Sequence, residues 1–119
     1  MTKMKKILVV DDQPEFAEFL VTMLQKKDRE FNVVYNVKNA KKELDREMYD
    51  FIITDWNMPD GTGLDIIEYI ERKPGIKYMV VTGAELEVIE DLVYGYGGKY
   101  LNKTDDCFLN ELEVFLRNG

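Results

Sequence analysis

The chain has 119 residues, 45% of them hydrophobic, enough for one domain with a single core and no stapling. Its one cysteine, Cys107, excludes an internal disulfide and suits a reducing compartment, and no apolar run reaches the length of a signal-peptide core or the roughly 18 residues of a membrane span. Sixteen Lys and Arg against twenty-three Asp and Glu give a net charge of −7, which argues against direct nucleic-acid binding and favours protein partners.

The first predicted element is a strand near residues 5–10, whose apolar run Ile7-Leu8-Val9-Val10 stops at Asp11-Asp12. A helix is expected over 14–27, with Pro14 at its first position and Phe16, Phe19, Leu20, Met23 and Leu24 on one face. A strand near 31–35 and a helix over 38–48 follow, the latter with Ala40, Leu44 and Met48 as its apolar stripe. The next strand, 50–54, ends its apolar run at Asp55, and Trp56-Asn57-Met58-Pro59-Asp60-Gly61 then reads as a turn. Leu64, Ile67 and Ile70 mark a helix over 63–72, which Pro74-Gly75 closes.

Tyr78-Met79-Val80-Val81 forms a strand over 77–82 that runs into Thr82-Gly83. After a helix over 85–94, Gly95, Gly97 and Gly98 have the wrong order for a phosphate loop and shape a tight return into a strand over 99–102. Lys103 follows that strand, and Leu109, Leu112 and Leu116 carry a last helix over 106–117. Cys107, with no histidine in the chain to activate it, reads as passive.

Strict strand/helix alternation implies a parallel sheet covered by helices on both faces and joined by right-handed crossovers, a doubly wound α/β fold. Such sheets keep their chemistry at the carboxyl ends of the strands, where Asp11, Asp12, Asp55, Thr82 and Lys103 all fall. Three clustered carboxylates repel one another, so a cation belongs among them; the all-oxygen surroundings and the absence of histidine select a hard ion, Mg²⁺. A metal, an ammonium and a hydroxyl around a carboxylate nucleophile are what phosphoryl transfer needs, so Asp55 reads as a phosphoacceptor. Gly83 is expected to leave room for the phosphoryl donor.

The acid pair Asp11-Asp12, the segment Asp55-Trp56-Asn57-Met58-Pro59, Thr82 and Lys103, in this order and spacing, resemble the receiver domain of two-component response regulators, in particular the single-domain chemotaxis-type regulators. The resemblance covers essentially the whole chain and implies one receiver domain over 1–119, (βα)5 and flavodoxin-like, with a five-stranded sheet in the order 2-1-3-4-5. It implies Asp12 as a direct Mg²⁺ ligand, Asp11 as a water-mediated one, the Asn57 backbone carbonyl as a third protein contribution, and Thr82 and Tyr100 as the switch pair that moves when Asp55 is modified. The implied partner is a histidine kinase or histidine phosphotransfer protein in the cytoplasm, with the fourth helix, fifth strand and fifth helix as the output face of a monomer or phosphorylation-dependent dimer. No effector domain, direct nucleic-acid contact or membrane contact is expected, and the chain is either a stand-alone regulator or an excised domain.

Two other classes compete. A haloacid-dehalogenase-type phosphatase needs an acid two residues after its nucleophile, and neither Gln13 nor Asn57 provides one. A phosphorylation-independent receiver-like adaptor would not need the complete set Asp11, Asp12, Asp55, Thr82 and Lys103. The chain departs from the receiver pattern at one place: Thr104 stands after Lys103 where proline is usual. A cis bond to a residue other than proline costs about 3–4 kcal/mol, so a trans Lys103-Thr104 peptide is expected.

Overall fold

The structure, a computed structural model, describes residues 3–83 and 87–118. In chain order its elements are β1 (Lys5–Val10), α1 (Pro14–Leu24), β2 (Arg29–Val34), α2 (Val37–Arg46), β3 (Phe51–Asp55), β4 (Asn57–Met58), β5 (Gly61–Thr62), α3 (Gly63–Ile70), β6 (Lys77–Thr82), α4 (Glu87–Gly95), β7 (Lys99–Asn102) and α5 (Phe108–Arg117). The main sheet is parallel and five-stranded in the order β2-β1-β3-β6-β7, the expected 2-1-3-4-5 once the antiparallel β4/β5 pair inside the turn after Asp55 is set aside. That small ladder has no counterpart among the predicted strands.

Alternation along the strands splits the core into two layers. Ile7, Val9, Phe51, Ile53, Met79, Val81 and Leu101 pack against α1 and α5, whereas Leu8, Val10 and Ile52 face α2 and α3, and Val80 faces α3 and α4. A parallel sheet buried on both faces needs near-continuous apolar strands, which is why β1, β3 and β6 read so clearly.

The helices depart from prediction in detail. The buried stripe of α1 is Ala17, Leu20 and Leu24, while Phe19 is 45% and Met23 53% exposed, so the face is turned from the one expected. Ala17 carries too little apolar weight to mark the stripe, and the two large side chains beside it mislead. Met48 lies beyond the end of α2 and is 91% exposed. The predicted start of the fourth helix at 85 lies outside the described residues.

The return from α4 to β7 is glycine-built, as expected. Gly97 adopts φ +86°, its N–H donates to the Tyr94 carbonyl (3.0 Å), and the Gly98 N–H donates to the Val93 carbonyl (3.0 Å), the paired bonds of a Schellman cap. Gly98 is there for a second reason: a Cβ at this position would overlap the ring of Tyr78.

Candidate functional site

Register decides which residues share the carboxyl edge of the sheet. Val10 pairs with Thr54, Asp55 with Val81 and Thr82 with Asn102, so the residues at or just past these pairs, Asp11, Asp55, Thr82 and Lys103, come to one rim. The chain leaves β1 outward to β2 and returns to β3, so the crevice at the ends of β1 and β3 is the topological switch point where such sheets bind ligands.

Asp11 and Asp55 are buried and Asp12 is exposed, and one carboxylate oxygen of each lies within 4.8 Å of the others. Lys103 enters from the β7 end: its Nζ donates to Asp55 Oδ2 at 3.0 Å and to Asp11 Oδ2 at 3.1 Å. The other Asp55 oxygen accepts the Trp56 N–H at 2.6 Å, and Asp11 Oδ1 accepts the Gln13 N–H at 2.9 Å, which orients both acids. Burial pushes the Asp11 carboxyl above its ordinary value, against the opposing pull of the Gln13 N–H and of Lys103. Three carboxylates therefore face one ammonium, an excess of negative charge held partly out of water. All three offer hard oxygen donors, and together they fit a hexacoordinate divalent cation such as Mg²⁺.

The expected trans geometry holds: no cis peptide occurs among the described residues, and the Lys103-Thr104 bond is trans. The loop is fixed instead by side chains. Asn102 Oδ1 accepts from the Thr104 N–H (2.9 Å) and from Thr104 Oγ1 (2.7 Å), while the Lys103 N–H donates to the Thr82 carbonyl (2.9 Å). Beneath the ammonium lies the ring of Phe16, its centroid 4.1 Å from Nζ.

The remaining predicted residues fall around this centre. Thr82 is buried at the end of β6, Asn57 is exposed in the ladder with Thr62, and Tyr100 is half-buried against the Ile67, Val80, Ile89 and Val93 cluster, as is Trp56. Gly83 is exposed, and a Cβ there would meet nothing within 4 Å, so space for a donor does not by itself require glycine. Residues that sequence reasoning missed shape the rim. Asp60 accepts the N–H groups of Val37 (2.8 Å) and Lys38 (2.9 Å), capping α2 from the loop after Asp55 and drawing its own carboxyl below the ordinary value through those bonds. Thr62 and Asp65 form a capping box that starts α3; its Thr-x-x-Asp spacing was the available signal.

The family model of the response regulator receiver domain matches residues 7–106. The chain belongs to that family. Among solved structures, this receiver is 30% identical to the response regulator TrrA of Thermotoga maritima in complex with Mg²⁺ and BeF, over 97% of this chain and 98% of that one, with a TM-score of 0.83. The chemotaxis regulator CheY4 of Vibrio cholerae, at 21% identity and a TM-score of 0.82 over 98% of each chain, shares the fold. Among curated relatives, the response regulator protein PilR of Pseudomonas aeruginosa is 39% identical over 58% of this chain and 16% of its own length. The regulatory protein VanRc of Enterococcus gallinarum is 29% identical over 95% of this chain and 48% of its own. The receiver thus spans less than half the length of these two relatives. No helix among the described residues is long and apolar enough to cross a membrane.

Proposed function

We propose that this receiver, acting as one unit over residues 1–119, accepts a phosphoryl group on Asp55 from a phosphohistidine of a sensor kinase or phosphotransfer protein in the cytoplasm. The observation that carries this is the ammonium of Lys103 shared between Asp55 (3.0 Å) and Asp11 (3.1 Å) beside a third carboxylate, Asp12. These 119 residues contain no histidine, so the phosphohistidine is supplied from outside them.

Asp12 and Asp55, with Asp11 through water and the Asn57 carbonyl, would hold Mg²⁺. When bound, the ion neutralises charge on the phosphoryl oxygens and aligns them. Asp55 supplies the nucleophile: a carboxylate oxygen attacks phosphorus in line, an O–P bond forms, and the N–P bond breaks with its electron pair left on the imidazole. Lys103 offsets the charge that arrives, and the Thr82 hydroxyl turns to hydrogen-bond a phosphoryl oxygen. Tyr100, one strand across from Thr82, follows inward and shifts the face of α4, β7 and α5 between two packings. The domain catalyses only its own phosphorylation and the later hydrolysis of the aspartyl phosphate.

Intact-mass measurement after incubation with acetyl phosphate and Mg²⁺ tests this. Wild type should gain one phosphoryl group, removable by hydroxylamine, and Asp55→Asn should gain none, because an amide is no nucleophile. An adduct that persists in Asp55→Asn places the acceptor elsewhere; no adduct in wild type favours a phosphorylation-independent adaptor.

A further inference from the structure

Phe16 takes no part in the chemistry so far assigned, yet its ring lies 4.1 Å from centroid to the Nζ of Lys103. The ring is itself held. It follows Pro14 in the first turn of α1, directly after the Asp11-Asp12 turn, and packs against Phe108 at the start of α5, with centroids 5.8 Å apart and planes at 41°. One aromatic pair thus ties together the two chain segments that bring Asp11 and Lys103 to the site.

The Lys103 side chain is only 16% exposed, so its ammonium has given up most of its hydration. Two carboxylate oxygens replace water on one side. What fills the other side matters, because an alkyl group there would add no attraction to hold the ammonium in place, and a further carboxylate would compete with Asp11 and Asp55 for it. A π face attracts the cation electrostatically while carrying no formal charge, so it helps to fix the ammonium without adding to the negative charge of the site. The backbone below is anchored independently, by the Thr82 carbonyl and by the turn that Asn102 makes with Thr104.

We propose that Phe16 is a positioning residue: its ring holds the Lys103 ammonium between Asp11 and Asp55 and thereby sets the rate at which Asp55 is phosphorylated. The rate claim rests on Asp55 being the phosphoacceptor; the positioning claim does not.

Fluorinated phenylalanines at position 16 provide the test, since successive fluorines weaken the negative face of the ring with little change in size. The phosphorylation rate with acetyl phosphate and saturating Mg²⁺ should fall stepwise with fluorination, by roughly two- to thirtyfold in all, with Phe16→Leu at the floor and Phe16→Tyr near wild type. The melting temperature should stay level along the fluorinated series, which a merely structural role for the ring would not combine with a graded rate. A rate indifferent to fluorination, or equal in Phe16→Leu and wild type, overturns the proposal. A second readout needs no phosphorylation. In the unmodified protein the Lys103 ε-proton resonances should be displaced by the ring current and return toward ordinary lysine values in Phe16→Leu. A wild type that takes no phosphoryl group overturns the phosphoacceptor reading and the rate claim together, and in that case undisplaced ε-protons overturn the positioning claim as well.

Discussion

Arg29 and Glu113 form a two-pronged ion pair that joins the start of β2 to α5, with Nη1 to Oε1 at 2.8 Å and Nη2 to Oε2 at 2.6 Å. Arg29 is 2% exposed, and its Nη1 also donates to the Leu24 carbonyl at the end of α1 (2.8 Å), so three elements meet on one guanidinium. Its Nε is buried without a hydrogen-bond partner, which leaves the ion pair as the main compensation for burying the charge. The Arg29 hydrogen bonds, helped by Lys26 and opposed by burial, hold the Glu113 carboxyl down at about 2.

Glu113→Gln should therefore destabilise the fold by about 3–5 kcal/mol at neutral pH, the usual consequence of leaving a buried charge without its partner. Because the folded value of Glu113, about 2, lies below the ordinary 4.5, its contribution is fully present above pH 4.5 and is lost as pH falls toward 2. Urea unfolding of wild type and variant across this window should show the gap between them closing as the medium is acidified. A gap independent of pH would assign the loss to packing instead.

Gly98→Ala should destabilise by about 1–3 kcal/mol, the range for an overpacked position, because the new methyl overlaps the Tyr78 ring. The ring cannot simply swing away, since its hydroxyl donates to the Tyr96 carbonyl (3.1 Å) in the same α4-to-β7 return. Tyr78→Leu in the Gly98→Ala background should recover part of the loss in a double-mutant cycle; additive effects would mean that the two positions do not collide.

The sheet was legible because strands buried on both faces must be apolar nearly throughout, and each run in β1, β3 and β6 stops abruptly at the edge where Asp11, Asp55 and Thr82 stand. Strand-end placement put Lys103 on the same edge as the acids, but that its ammonium bridges Asp55 and Asp11 is visible only in the structure. Less was legible where a loop brings distant residues together. Nothing local to Asp60 announces that it caps α2, and nothing local to Phe16 announces a lysine over its ring. The α1 stripe was misjudged because Phe19 and Met23 outweigh Ala17 in any periodicity argument, although it is Ala17 that joins Leu20 and Leu24 in the core. The Arg29–Glu113 pair was hidden for a related reason: Arg29 precedes the strand expected near 31–35 although the strand in fact begins with it, and its partner lies in the last helix.

Mg²⁺ should raise the melting temperature of the wild type. Binding to the native state alone stabilises it by about 2.7 kcal/mol at a hundredfold excess over Kd. The gain has a structural source in the repulsion among the oxygens of Asp11, Asp12 and Asp55, gathered within 4.8 Å. Asp12→Ala should melt at the same temperature with and without the ion. An equal shift in that variant would move the metal to other ligands.

Asn102 should matter to the same chemistry through the backbone. Its Oδ1 holds the Thr104 N–H at 2.9 Å and the Thr104 hydroxyl at 2.7 Å, closing an Asx turn around Lys103, and its own carbonyl accepts the Asp105 N–H at 3.1 Å. Without that side chain the trans Lys103-Thr104 peptide keeps the Lys103 N–H to Thr82 carbonyl bond as its anchor toward the sheet (2.9 Å), and the lysine stem samples directions away from Asp55. Asn102→Ala is expected to slow phosphorylation by acetyl phosphate about fivefold, corresponding to the roughly 1 kcal/mol of a net hydrogen bond. Asn102→Ser, whose hydroxyl can close a similar turn more weakly, should recover part of the rate. Equal rates in wild type and Asn102→Ala would show that the Thr82 carbonyl and the Phe16 ring suffice to hold Lys103, and a serine variant no faster than alanine would show that the turn is not what Asn102 contributes.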